Sequence, residues 1–177
     1  MSFDFEIEST KIFLEHFNKK YHFDFQINLE NRKIDDDVDV TAESKNLNRK
    51  IYIQVTRAQA ENIKWGHFNS VAYKKGERGK VCELNLVEAV KSAMEKKAAS
   101  YPVARQQELI LLIVDEFPFA GNQEVTSERL FNRLPENNFK AVYLISRPQS
   151  SGEKYVLLLQ RTDLLDDLKN ERREDNQ

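Results

Sequence analysis

Asp37, Asp39, Thr41, Gln54 and Thr56 are the side chains from which chemistry is first expected in this chain. They alternate with Val38, Val40 and Ala42 in one run and with Ile51, Ile53 and Val55 in the next. Alternation of apolar and polar residues with period two is the pattern of a half-buried strand, whose successive side chains point to opposite faces. Residues 44–49 lie between the runs and include Asn46 and Asn48, so a hairpin connection is expected. A tip at Leu47 and Asn48 would set Asp39 opposite Thr56 and Thr41 opposite Gln54. Val38, Val40, Ala42, Ile51, Ile53 and Val55 then share the core face, and the carboxylate, amide and hydroxyl groups share the other. A strand face that collects such groups is a candidate site. The competing reading is a plain wet face, which antiparallel sheets commonly have.

A second concentration of functional side chains follows at residues 61–80. The stretch ENIKWGHFNSVAYKKGERGK carries five Lys or Arg against two Glu, with Trp65, His67, Phe68 and Tyr73 interleaved. No period holds across it, so a long loop is expected, and such loops in small domains are often functional. Lys64, Trp65, Lys74, Lys75 and Arg78 are the candidate nucleic-acid contacts, the cations for phosphates and the indole for base stacking. The alternative is an insertion whose aromatics merely pin it to the core.

The elements that must position these groups follow from periodicity. Residues 5–21 place Ile7, Ile12, Phe13, Leu14 and Phe17 at roughly helical spacing, with Glu6 and Glu8 early and Lys19 and Lys20 late, as the helix dipole favours. Residues 21–29 alternate and read as a strand. Residues 84–101 read as a second helix with Leu86, Val90, Ala93, Met94, Lys97 and Tyr101 on or beside one face, stopped by Pro102. The apolar run 109–114 is short and bounded by charge, which suits a strand buried on both faces. Residues 127–134 read as a short third helix, and 140–146 and 154–160 as two strands joined as a hairpin. A helix between strands favours a central sheet covered by helices. The expected organisation is an α/β domain over residues 1–161 and a charged tail over 162–177.

Composition sets limits. The 177 residues, 40% of them hydrophobic and 32% charged, suit one compact domain with a real core. A formal charge of −2 means that any nucleic-acid partner must meet a local patch. Cys82 is the single cysteine, so no internal disulfide forms, as expected of a reducing cytoplasmic setting. MSFDFEIEST has acids where a signal peptide has basic residues, and no apolar run reaches bilayer length, so no membrane association is expected. His16, His22 and His67 show no metal-ligand spacing with one another or with Cys82, which argues against zinc. There is no Gly-rich phosphate loop and no strand-to-helix serine elbow.

The order helix, strand, hairpin with acids, helix, buried strand, helix, strand, strand resembles the PD-(D/E)XK nuclease superfamily, the restriction-endonuclease-like fold, over roughly residues 5–161. The resemblance implies a central mixed sheet flanked by helices. In that family an Asp on the second strand is followed on the third by Glu or Asp, any residue, then Lys, and the first helix often adds a Glu. By position Asp39 matches the Asp, Gln54 the Glu, Thr56 the Lys, and Glu8 the helix acid. The helix and apolar strand at residues 87–101 and 109–113 look like those that follow the motif in restriction-type members. The resemblance implies a Mg²⁺ or Mn²⁺ ion held through oxygens of Glu8, Asp39, Gln54 and the Val55 carbonyl, a ligand type that hard cations prefer. The chain departs from the pattern twice. Gln54 carries no charge, so cation affinity should drop, and Thr56 cannot replace an ammonium. Asp37 or Glu8 is available for the missing carboxylate, and Lys96 or Lys97 for the missing cation, with Lys97 favoured because it interrupts the inward stripe.

The function implied is a divergent metal-dependent nuclease acting on DNA or RNA phosphodiesters, with Asp39, Gln54, Thr56 and Lys97 as catalytic candidates. Two alternatives stand beside it. One is a fold relative without catalysis that serves as a nucleic-acid-binding or regulatory subunit. The other is a protein-interaction module, an immunity or accessory protein, with a homodimer or a partner protein at the sheet edge.

Overall fold

The computed structural model describes residues 3–29, 38–58, 78–115, 134–146 and 155–161, with the backbone alone at 78–85, 155 and 161. Helix α1 (Phe3–Tyr21) buries Glu6, Ser9, Thr10, Phe13, Leu14 and Phe17, a stripe at spacings of three and four. Asp4 and Glu6 in its first turn and Lys19 and Lys20 in its last complement the dipole. It stops where His22 takes φ 58° and the Phe23 N–H reaches back to the Asn18 carbonyl at 3.1 Å. This is a Schellman closure, and the Phe23 ring, 5.5 Å from Phe17, supplies its hydrophobic contact. The Asn18 side chain then donates to the Phe25 carbonyl (2.8 Å) and accepts from the Phe25 N–H (3.0 Å). Strand β1 is therefore only Gln26–Asn28, not the whole of residues 21–29. The alternation there reflects ring packing: Tyr21, Phe23 and Phe25 stack in succession around Phe17.

The remaining elements are β2 (Val40–Ser44), β3 (Arg49–Ala58), α2 (Arg78–Ser100), the single turn α3 (Val103–Gln106), β4 (Leu109–Asp115), β5 (Ala141–Ser146) and β6 (Tyr155–Arg161). They form an α/β structure with one six-stranded mixed sheet in the order β1-β2-β3-β4-β5-β6. The β1–β2–β3 meander is antiparallel, β3, β4 and β5 are parallel, and β6 returns antiparallel to β5.

Strand alternation divides the core in two. Ile51, Ile53, Val55, Ile110, Leu112 and Tyr143 pack with Phe13 and Phe17 of α1. Leu109, Leu111, Ile113, Val142 and Leu144 pack with Leu86, Val90 and Met94 of α2. The apolar run of β4 is thus buried on both faces, as its composition anticipates. Phe13 and Phe17 are fully buried, each contributing about 2–3 kcal/mol by removal from water.

The hairpin forms, but its register is shifted by two residues from expectation: Thr41 faces Tyr52 and Val40 faces Ile53. The turn is Lys45–Asn48 rather than a tip at Leu47 and Asn48, because Asn48 adopts φ 47°. Ser44 Oγ accepts from the Leu47 N–H at 3.1 Å and donates to the Asp24 carboxylate, fixing the turn from outside. A shift of two preserves which residues share a face. Val38 is the exception, since Asp39 is a bend and Val38 joins the α2-side cluster instead of Val40 and Ala42. Helix α2 begins at Arg78, within the stretch expected to be loop. The expected helix at 127–134 falls outside the described residues except for Leu134, and the tail at 162–177 falls wholly outside them. No described helix is long and apolar enough to cross a membrane.

Candidate functional site

The site is built where β2 leaves the sheet. Regular pairing ends at Val40 and Ile53, so the next step sets Asp39 beside Gln54 and leaves Val55 without a strand partner on that side among the described residues. Asp39 substitutes its side chain for the lost ladder: Oδ2 accepts from the Val55 N–H at 2.8 Å and from Gln54 Nε2. Oδ1 makes no hydrogen bond among the described residues. A strand residue projects its N–H and C=O to the same side, so the Val55 carbonyl faces the edge where Asp39 lies.

Gln54 is 2% exposed, and a buried carboxamide must find partners for both ends. Its Nε2 donates to Asp39, and its Oε1 accepts from the Tyr101 hydroxyl at 2.8 Å. The amide orientation follows from chemistry: an oxygen turned toward the carboxylate would have nothing to accept there. Tyr101 is held in turn by Gln106, whose Nε2 donates to the carbonyls of Ala98 and Tyr101, both at 2.9 Å. Gln106 Oε1 accepts from Asn138 N at 3.2 Å, which ties the end of α2 to the approach to β5.

Thr56 is buried two residues beyond Gln54 on the α2 side. Helix α2 connects parallel neighbours β3 and β4, so it runs back against them. Lys97 of α2 is half-buried and makes no ion pair among the described residues.

Glu8 departs from expectation. It is exposed, whereas Glu6 is 7% exposed, because the inward stripe of α1 extrapolates from Phe13 and Thr10 back to residue 6. At 100° per residue Glu8 lies about 200° away from it. Helix α1 also covers the face of β3 opposite Gln54 and Thr56, so an acid on it would meet Asp39 only around the end of the sheet. Phe5, next to Glu6, stacks 4.1 Å from the Arg57 guanidinium at that end. Asp37, Lys64, Trp65, Lys74 and Lys75 lie outside the described residues, as does the side chain of Arg78.

Comparison of the chain with protein-family models, curated proteins and solved structures finds no match in any of the three.

Four polar residues escape sequence reasoning. The helix stripe makes Tyr101 a core residue, although a buried tyrosine hydroxyl normally seeks a partner. Gln106 sits in a helical turn that periodicity over four residues does not reveal. Asp115 and Ser146 end β4 and β5 on the α2 side, both buried, with the serine hydroxyl donating to the carboxylate at 2.8 Å. The only signal for that pair is an acid closing an apolar run.

Among the described residues no three His, Cys, Asp or Glu side chains gather to hold a metal ion. The oxygens at the bend are those of the Asp39 carboxylate and the Val55 carbonyl, while the Gln54 amide turns its nitrogen toward Asp39 and its oxygen toward Tyr101. Oxygen donors with a single charge suit a hard divalent cation that keeps much of its own water. They do not suit zinc.

Proposed function

We propose that this chain is a divergent relative of the PD-(D/E)XK nucleases that acts on nucleic-acid phosphodiesters, with Asp39 as the centre of its site. The observation that supports the reading is the pair of hydrogen bonds that Asp39 accepts from the Gln54 side chain and from the Val55 N–H where β2 parts from β3. Support also comes from the element order: α1, an antiparallel three-stranded meander, α2, then β4 parallel to β3.

Asp39 Oδ1 and the Val55 carbonyl would hold Mg²⁺ or Mn²⁺, and the Gln54 amide oxygen, which accepts from the Tyr101 hydroxyl, would join them only if the amide turned over. Such an ion supplies polarisation of a phosphate oxygen and a lowered pKa for water. The chain's own contribution is positional. Asp39 is fixed by the Val55 N–H, so its Oδ1, without a hydrogen bond among the described residues, has one direction. Lys97 would offer an ammonium, in place of the one missing at Thr56, to the negative charge that develops on phosphate. Lys64, Trp65, Lys74, Lys75 and Arg78 would hold the strand.

A second reading has its own observation. Both ends of the Gln54 amide are satisfied within the protein, as befits a structural glutamine in a nuclease-like fold that binds nucleic acid without cutting it. Incubation of the purified chain with labelled single- and double-stranded DNA and RNA, in Mg²⁺ or Mn²⁺, separates the two. The nuclease reading expects slow cleavage, faster in Mn²⁺, which generally binds mixed ligands more tightly than magnesium-like hard ions. Binding without cleavage in either metal supports the second reading and refutes the first.

A further inference from the structure

We propose that the last turn of α1 and the turn between β2 and β3 form one basic surface, centred on Lys19, Lys20 and Lys45, that holds the phosphate backbone of a nucleic acid without reading its bases. The choice of nucleic acid as the occupant rests on the function proposed above; the surface itself does not depend on Asp39. Residues 39 and 45 bracket β2 and lie about 20 Å apart at 3.3 Å per residue. Asp24 ties the two turns together. Its carboxylate accepts from Ser44 Oγ and, at 3.4 Å, from the Asn46 N–H, the residues on either side of Lys45. Asp24 itself follows directly on the closure of α1, where the Phe23 N–H reaches the Asn18 carbonyl at 3.1 Å.

The charge of this surface opposes that of the whole chain. Residues 19–24 and 43–50 carry five Lys or Arg against two acids, whereas the chain has 27 against 29. Lys19, Lys20, Lys45, Arg49 and Lys50 are all exposed. Both acids are engaged, Asp24 by the turn and Glu43 by Lys50 at 2.7 Å. Lys19, Lys20 and Lys45 make no ion pair among the described residues, not even with Glu15 one turn before Lys19. Their field reaches the preceding turn of the helix: after burial, the charges of Lys20 and then Lys19 hold the His16 imidazole below its ordinary pKa. The exposed large apolar side chains among the described residues, Phe3, Leu29 and Val103, lie in neither turn. A protein partner is served by an apolar centre to the patch, and a bilayer by an apolar face beside the cations. A surface that is basic and polar throughout suits the phosphodiester backbone, whose charges are met by Lys and Arg with release of counterions.

The test uses the full chain with labelled single- and double-stranded DNA and RNA of mixed sequence, in EDTA so that cleavage does not intervene. Anisotropy across a salt series reads affinity and its slope. One variant carries Lys20→Gln with Lys45→Gln, one cation from each turn. Its control carries Lys11→Gln with Lys91→Gln, which removes the same charge elsewhere. The expected result is a slope of log affinity against log salt reduced by about two units and an affinity lowered by about tenfold or more in the first, with the control unchanged. Proton NMR adds a second reading. Saturating oligonucleotide should raise the pKa of His16, whose resonance is assigned by its loss in His16→Gln, because bound phosphates offset the charges of Lys19 and Lys20. An equal loss of binding in both variants, or an unchanged slope with an unmoved His16 titration, overturns the surface and leaves the nuclease reading to be judged by cleavage. Binding to phosphatidylserine vesicles but to none of the nucleic acids also overturns it. The expected binding changes in a chain that cuts nothing in Mg²⁺ or Mn²⁺ support the surface while refuting the nuclease.

Discussion

Replacing Gln54 by Glu turns the hydrogen bond between residues 54 and 39 into a contact between two acids. The Nε2 donor to Asp39 is lost at a position only 2% exposed, while the Tyr101 hydroxyl can still donate. A hydrogen bond to a charged acceptor contributes about 1.5–3 kcal/mol, and like-charge repulsion adds to its loss until one acid takes up a proton. The expected destabilisation without metal is about 2–4 kcal/mol at pH 8. For a chain of this size that lowers Tm by roughly 5–15 °C. The sign of the pH dependence follows. The introduced carboxyl group would have a folded-state pKa above its unfolded value of about 4.3, so the penalty is small below that pH. It grows as pH rises through the folded pKa and is complete by about pH 8. Mg²⁺ should reverse it, since an ion at about a hundred times its Kd restores about 2.7 kcal/mol. Thermal denaturation of wild type and Gln54→Glu at pH 5 and pH 8, with and without Mg²⁺, reads all of these. A variant as stable as wild type at pH 8 without metal would refute the hydrogen-bond argument, and one indifferent to Mg²⁺ would refute the cation site.

Three further outcomes are expected. Burial, followed by the charges of Lys20 and Lys19, holds His16 below its ordinary pKa of 6.5, so the unfolded chain takes the proton first as pH falls. Stability should therefore decline from about pH 6.5 downward until the folded pKa is passed, and His16→Gln should flatten that part of a urea-denaturation profile; an unchanged slope would count against it. Lys97→Ala should slow cleavage by about ten- to a thousandfold with Tm nearly unchanged, the scale of one lost charge-stabilising contact, and a large Tm drop would mean that its stem packs instead. Charge reversal at Lys74, Lys75 and Arg78 should weaken nucleic-acid binding and reduce the slope of log affinity against log salt by about one unit per contact, measured by anisotropy; an unchanged slope would remove them from the interface.

The sequence carries faces better than registers. Period-two alternation places Gln54 and Thr56 on one side of β3 and Ile53 and Val55 on the other, and that division holds in the core clusters. It could not place Asp39 beside Gln54, because the turn is set by Asn48 in a left-handed conformation and by Asp24, twenty residues from its partner Ser44. The run 109–114 is legible as a buried strand since nothing else suits six apolar residues between charges. In residues 21–29 the same rule overreaches: rings alternate, yet the Asn18 bridge and the helix closure claim them first. On α1 the error at Glu8 is one of phase, correctable by running the Phe13 and Phe17 stripe backwards to residue 6. Tyr101 illustrates the remaining gap. Its helix position is readable, but its hydroxyl partner lies 47 residues away on another element.

Cleavage by the wild type, Asp39→Ala and Asp39→Asn tests the central claim most directly. Asp39→Asn retains an acceptor for the Val55 N–H while removing the charge, so it separates catalysis from support of the bend. Each protein is incubated with labelled DNA and RNA in Mn²⁺ and in Mg²⁺, after circular dichroism has established that it is folded. The account predicts slow, metal-dependent cleavage by the wild type and none above background by either variant. A wild type that cuts nothing in either metal, or an Asp39→Asn protein that cuts as fast as the wild type, would contradict it.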